Sequence, residues 1–221
     1  MVLDSLHARL VAEAEREGLL DVAYRTVDSP FGPLLVAATP RGLVRIAFEV
    51  EDHDVVLSGL AGALSPRVLR APAQLDDIAR QLDEYFGGQR RTFDVSVDLQ
   101  LARGFRRAVL DRLRAIPYGS TQSYAAVAAA AGNARAVRAA ASACSHNPVP
   151  IVVPCHRVVR SDGTIGDYLA GPAAKQLFSK WLTMCHEAGQ KTPDAADPPV
   201  TESPGLPPPR LPGRGPRDRS R

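Results

Sequence analysis

The chain is poor in cysteine and has no long apolar run. Its three cysteines, Cys144, Cys155 and Cys185, are odd in number and form no CxxC pair. That argues against a disulfide framework and a zinc knuckle, and leaves a single reactive thiol as open chemistry. No stretch approaches the ~18 consecutive apolar residues of a membrane span, and residues 1–20 carry acids where a secretory leader would be apolar. No membrane partner and a cytoplasmic location are therefore expected. A strong charge of one sign is missing too: a net charge of +3 permits nucleic-acid binding through a local patch without demanding it. What is present is ordinary globular material. With 221 residues, 45% hydrophobic and 23% charged, the chain can build one domain or two small ones around a sizeable core.

Leu3, Leu6, Leu10 and Val11 recur at helical spacing among charges, so an amphipathic helix is expected near residues 2–17. Residues 22–27, 33–38 and 43–50 read as β-strands of an antiparallel meander, the last two joined by the Thr39-Pro40-Arg41-Gly42 turn. Helices are expected over 52–64 and 73–86, the second stopped by Gly87-Gly88, and a further strand over 92–99. From Gly104 the texture changes to short helices. One covers 105–116 and ends at Pro117-Tyr118-Gly119; Ser123 is placed to cap another over 124–131; Gly132-Asn133 separates it from a third over 134–145. That last pair suits either an alanine-rich core packing or a helix-turn-helix. Residues 188–221 hold nine of the nineteen prolines and too few large apolar residues to offset conformational entropy, so a disordered tail is expected.

In Pro154-Cys155-His156-Arg157 a cysteine sits beside a histidine after an apolar, proline-bracketed run. Read alone, the pair suits either a small buried thiol next to a solvated histidine, or a nucleophile whose proton is taken by an imidazole within reach. The longer string narrows this. Asn147-Pro148-Val149-Pro150, then Pro154-Cys155-His156-Arg157-Val158-Val159, then Gly166-Asp167-Tyr168 together resemble the active-site signature of the O6-alkylguanine-DNA alkyltransferases, also called methylated-DNA-protein-cysteine methyltransferases. The likeness runs from Phe105 through Lys175 and includes Pro117-Tyr118-Gly119, Ser123-Tyr124, Gly132-Asn133 and Arg138-Ala139.

The resemblance implies an α/β fold: a small ribonuclease-H-like N-terminal α/β domain over 22–100, then a mostly helical, winged-helix-like domain with a helix-turn-helix over 101–187. The helix of residues 1–21 and the tail of 188–221 lie outside it. It implies a DNA-repair protein that acts once, as a monomer on double-stranded DNA containing alkylated guanine, with no cofactor. Cys155 would accept the alkyl group from O6 of guanine, and possible action on O4-alkylthymine is left open. His156 would serve as base through a water. Tyr124 would donate to the purine and crowd its phosphate, and Lys175 would lie near the charge developing on the leaving oxygen. Val158, Tyr168 and Leu169 would line the base pocket with Tyr124. Arg138 would fill the gap left by the extruded nucleotide, while Ala136, Ala139 and Ala141 allow close approach in the minor groove. Arg135 would meet phosphate, and Asn147 would form the hinge between the DNA-reading helix and the active-site loop. Zinc-bearing relatives have N-terminal ligands, whereas this chain has no cysteine before position 144, so no metal is expected. One position departs from the pattern. Where the family has a glutamate that orients the histidine, this chain has Leu182, and Glu187 stands five residues later. An alternative role follows from that departure: a damage sensor that binds alkylated DNA but transfers poorly.

Overall fold

The structure is a computed structural model that describes residues 2–164, with side chains from residue 5 onward. Expectations placed on Lys175, Tyr168, Leu169, Leu182, Glu187 and the tail lie outside the described residues.

The N-terminal half opens with helix α1 (Val2–Arg16) and continues into strands β1 (Val22–Val27), β2 (Leu34–Thr39) and β3 (Gly42–Phe48). These pair antiparallel in sequence order, as the alternation of apolar residues and the Thr39-to-Gly42 turn predict. A register shift between Ala37 and Ala38 bulges β3, and Leu43 and Ile46 accordingly both join the larger core cluster although they are three positions apart. Helix α2 (His53–Ala63) starts where the Asp52 carboxylate accepts from the N–H groups of Asp54 and Val55. It covers one sheet face through Leu60, packed with Val22, Ala37 and Val44. A single 3-10 turn, Pro72–Leu75, leads into helix α3 (Asp76–Phe86), whose Ile78, Leu82 and Tyr85 are buried in the larger cluster that covers the other face.

Two features differ from expectation. Strand β4 (Val68–Arg70) adds to the sheet parallel to β1, giving the order β3-β2-β1-β4. It is too short to show an alternating pattern, and pairing with β1 decides it. Residues 92–99 are not a strand. They touch the start of β3 at one bridge, Leu43 with Val97, because only Leu43 N–H to Ser96 O (2.9 Å) and Asp98 N–H to Leu43 O (2.8 Å) link the two. The N–H of Asp94 instead donates to the Gln81 side chain at 2.8 Å, so backbone groups that a ladder would satisfy are spent on a helix side chain. Gly42 permits the approach: its φ is 132°, and a Cβ there would stand 2.4 Å from Ser96 O.

The second half is helical: α4 (Gly104–Leu113), α5 (Tyr124–Ala130) and α6 (Val137–Ser145), with strands β5 (Gln122–Ser123) and β6 (Val158–Val159) paired parallel beside them. Ser123 Oγ caps α5 by accepting from Ala126 N–H at 3.1 Å. The α5 C-terminus closes with two reciprocal bonds, Asn133 N–H to Ala128 O and Gly132 N–H to Ala129 O, both 3.0 Å. This needs Gly132 at a φ of 93° and is the physical reason that the helix stops there. One apolar cluster runs from Leu34 and Ile46 of the sheet through Leu110 and Val127 to Cys155 and Val158. The two halves therefore share a core.

Candidate functional site

The loop from Asn147 to Cys155 is buried and held by its own groups. Asn147 is 2% exposed. Its side-chain N–H donates to Val153 O at 2.8 Å and to Cys155 Sγ at 3.2 Å, and its Oδ1 accepts from Val149 N–H at 3.0 Å. Backbone bonds from Val153 to Val149, Val152 to Pro150 and Cys155 to Val153 tighten the same loop. Between them Ile151 adopts a φ of 75°, an uncommon left-handed geometry for a β-branched residue, so strain is stored beside the cysteine. Cys155, His156 and Arg157 form one 3-10 turn and all three are buried. An amide N–H directed at Sγ favours the thiolate over the thiol, since an ionised acceptor takes the stronger hydrogen bond.

This loop is also tied to the sheet. Pro148 O accepts from the Ile46 N–H of β3 at 2.9 Å and from Arg45 at 3.4 Å. Arg45 is in turn neutralised by Glu51, with side chains 14% and 12% exposed, and Glu51 also accepts from Phe48 N–H at 2.9 Å. Neither Arg45 nor Glu51 stands out in sequence, because they come into play only when β3 meets the loop.

Helix α6 divides by face. Ala140, Ala143 and Cys144 are buried, whereas Arg138 and Ala139 are exposed and Ala141 is half-buried. Arg135 and Ala136 precede the helix, which begins three residues later than its alanine-rich sequence predicts. The Asn133 side chain accepts from Arg135 N–H at 3.1 Å and its carbonyl from Ala136 N–H at 3.0 Å, a local turn that outcompetes the first helical turn. Arg135 is exposed and Ala136 half-buried. Neither Arg135 nor Arg138 is ion-paired to a carboxylate among the described residues. Asn147, expected as the hinge between the DNA-reading helix and the active-site loop, lies two residues beyond α6, buried, with its amide committed to the loop. A groove of about 540 Å³ flanks α6, lined by Arg103, Phe105, Arg106, Ala139 and Ser142 among others. Arg103 and Arg106 were not singled out in sequence, although the Arg103-Gly104-Phe105-Arg106-Arg107 run carries the charge.

Tyr124, at the first turn of α5, is 7% exposed, and Val158 of β6 is fully buried. β5, which runs directly into α5, pairs with β6, so Ser123 stands opposite Val159. Beyond β6, the Asp162 carboxyl is held below its ordinary range by hydrogen bonds from the Thr164 hydroxyl and N–H. Among the described residues no group of His, Cys, Asp and Glu is arranged to hold a metal, and no helix is long and apolar enough to cross a membrane.

Comparison with known proteins places this geometry. Residues 22–99 match the ribonuclease-like domain, and residues 104–181 the DNA binding domain, of 6-O-methylguanine DNA methyltransferase. A methylated-DNA-protein-cysteine methyltransferase of Mycolicibacterium paratuberculosis is 36% identical over 157 residues, covering 71% of this chain and 90% of the relative. The constitutive enzyme of that name from Bacillus subtilis is 34% identical over 155 residues, covering 70% and 91%. The crystal structure of Mycobacterium tuberculosis O6-methylguanine methyltransferase superposes with a TM-score of 0.64 at 32% identity, covering 74% of this chain and 93% of that one. A structure of the same mycobacterial protein in complex with DNA gives 0.63 at 32% identity, with 74% and 94% covered. The α/β fold, a ribonuclease-like domain followed by a DNA-binding one, is thus the expected one. Two domain matches in the order of a single architecture, with relatives covered almost end to end, establish that the chain belongs to the 6-O-methylguanine DNA methyltransferase family.

Proposed function

We propose that this protein repairs double-stranded DNA by moving the alkyl group from O6 of guanine irreversibly onto Cys155. The observation that carries this reading is the buried Cys155 with the Asn147 amide on its sulfur, set behind a helix that turns Arg138 and small residues outward. In the reaction His156 takes the thiol proton through a water and the sulfur attacks the alkyl carbon. The carbon–O6 bond breaks, and its electron pair leaves with guanine, which is reprotonated. Tyr124 and Lys175 stabilise the leaving base, with Val158, Tyr168 and Leu169 lining its pocket. The thioether is not turned over, so each chain acts once. A guanine inside the stack cannot reach a residue 1% exposed, and extrusion, with Arg138 filling the gap, costs a few kcal/mol. Arg135, Ala136, Ala139 and Ala141 form the surrounding contact, and the protein works as a monomer.

A second reading rests on Leu182, which stands where the family has the glutamate that orients the histidine. Without that carboxylate the chain acts as a sensor that binds the lesion and transfers poorly. Intact-protein mass spectrometry after incubation with methylated duplex decides. A gain of one methyl, lost in Cys155→Ala while DNA affinity is retained, supports transfer; binding with no gain in mass supports the sensor. Methyl uptake by the Cys155→Ala protein at the wild-type level would overturn the assignment of the nucleophile.

A further inference from the structure

On the side of the active-site turn that faces residues 91–97 lies a cavity of about 200 Å³ whose lining, among the described residues, includes Arg91, Arg114 and Arg157 and no acidic residue. Arg157 is 7% exposed. One of its terminal nitrogens donates to Ile116 O at 2.7 Å, while its buried Nε has no hydrogen-bond partner. Its guanidinium lies 5.5 Å from the centre of the Tyr118 ring, and that of Arg91 lies 5.8 Å from the same ring. Two like charges therefore stand beside one aromatic ring, and a third lines the same cavity. None of the three pairs with a carboxylate among the described residues, although the neighbouring Arg90 does, with Glu84.

A desolvated guanidinium with an unmet N–H and no counter-charge is costly unless something supplies acceptors. Tyrosine faces offset part of this, but a ring carries no net charge with which to balance three guanidinium groups. A compact tetrahedral oxyanion can do so, since its several oxygens match forked donors arriving from different directions. We propose that this cavity is a phosphate-binding site, with Arg157 as its buried anchor and Arg91 and Arg114 as its exposed arms. Occupancy neutralises the Arg157 guanidinium and relieves the repulsion among the arginines. Because Arg157 ends the 3-10 turn that Cys155 begins, a bound phosphate also steadies the turn that holds the cysteine. The site does not depend on the alkyl-transfer reading. The phosphate comes either from solution or from a DNA backbone, and the test separates the two sources.

The full chain is prepared without phosphate or sulfate, and inorganic phosphate is titrated by calorimetry and thermal unfolding against potassium chloride at matched ionic strength. The expected result is a rise in midpoint with phosphate and none with chloride. The Arg91→Gln/Arg114→Gln double variant should bind phosphate at least about tenfold more weakly, as expected for losing charge-assisted hydrogen bonds. In phosphate-free buffer it should unfold at the same or a higher temperature than wild type, because like charges have been removed. In a second arm both proteins are titrated with unmodified duplex DNA. Weaker DNA binding by the variant, together with displacement of DNA by free phosphate, identifies a backbone phosphate as the occupant; equal DNA binding identifies a small anion. A phosphate response that is absent, or equal in wild type and variant, overturns the site.

Discussion

Asn147 spends both sides of its amide within nine residues of chain, on Val149, Val153 and Cys155. Hydrophobic pattern gives no reason for a polar side chain there; the loop's need to satisfy buried backbone groups does. Asn147→Ala leaves the Val149 N–H and the Val153 carbonyl buried without that partner. The expected loss is about 1–3 kcal/mol of stability in urea unfolding, from one unsatisfied donor, since Val153 O keeps the Cys155 N–H. The single-turnover rate should also fall most below the pH at which the unassisted thiol ionises, since the amide no longer favours the thiolate. A uniform rate loss at all pH values would assign Asn147 to loop structure alone.

At the scale of elements, α6 shows how composition and packing divide the work. Its alanines read equally well as core and as contact surface. Packing decides: Ala140 and Ala143 face inward while Arg138 and Ala139 face out. If Arg138 occupies the space of an extruded nucleotide, Arg138→Ala should slow repair of duplex substrate by about tenfold or more, in line with an extrusion cost of a few kcal/mol. Reaction with free O6-benzylguanine, which needs no extrusion, should stay near wild type. Equal losses on both substrates would remove that role from Arg138. The elements also show where pattern reading stops. Alternation in residues 92–99 reflects Phe93, Val95 and Val97 packing on the core, not strand pairing, and burial of alternate side chains does not require a ladder.

Across the whole molecule, the N-terminal half acts as a brace for the active-site loop. Ile46 and Arg45 hold Pro148 O, and Glu51 neutralises Arg45. Glu51→Gln strands a largely buried arginine, and the expected cost is about 3 kcal/mol, the low end for removal of one partner of a buried pair. Alkyl transfer should slow while affinity for unmodified duplex remains, because the pair braces the active-site loop through Pro148 O. Denaturant unfolding, single-turnover rates and DNA titration check this together; weaker DNA binding with an unchanged transfer rate would contradict the bracing role.

The sequence by itself determined β1 to β3, the turn at Gly42, the stop at Gly132 and the Ser123 cap, because each depends on local geometry that a few side chains dictate. It also carried the Pro154-Cys155-His156-Arg157 string on which the family resemblance rests. Only the tertiary structure decided the parallel addition of β4, the irregular course of 92–99, the faces of α6, and the joining of Arg45, Glu51 and Pro148. The arginine cavity belongs to this second group as well: Arg91, Arg114 and Arg157 are far apart in sequence and line one cavity only after the halves have packed. These features depend on contacts between distant segments, where the cost of closing the chain is met by burial in the shared core and no local signal exists to be read.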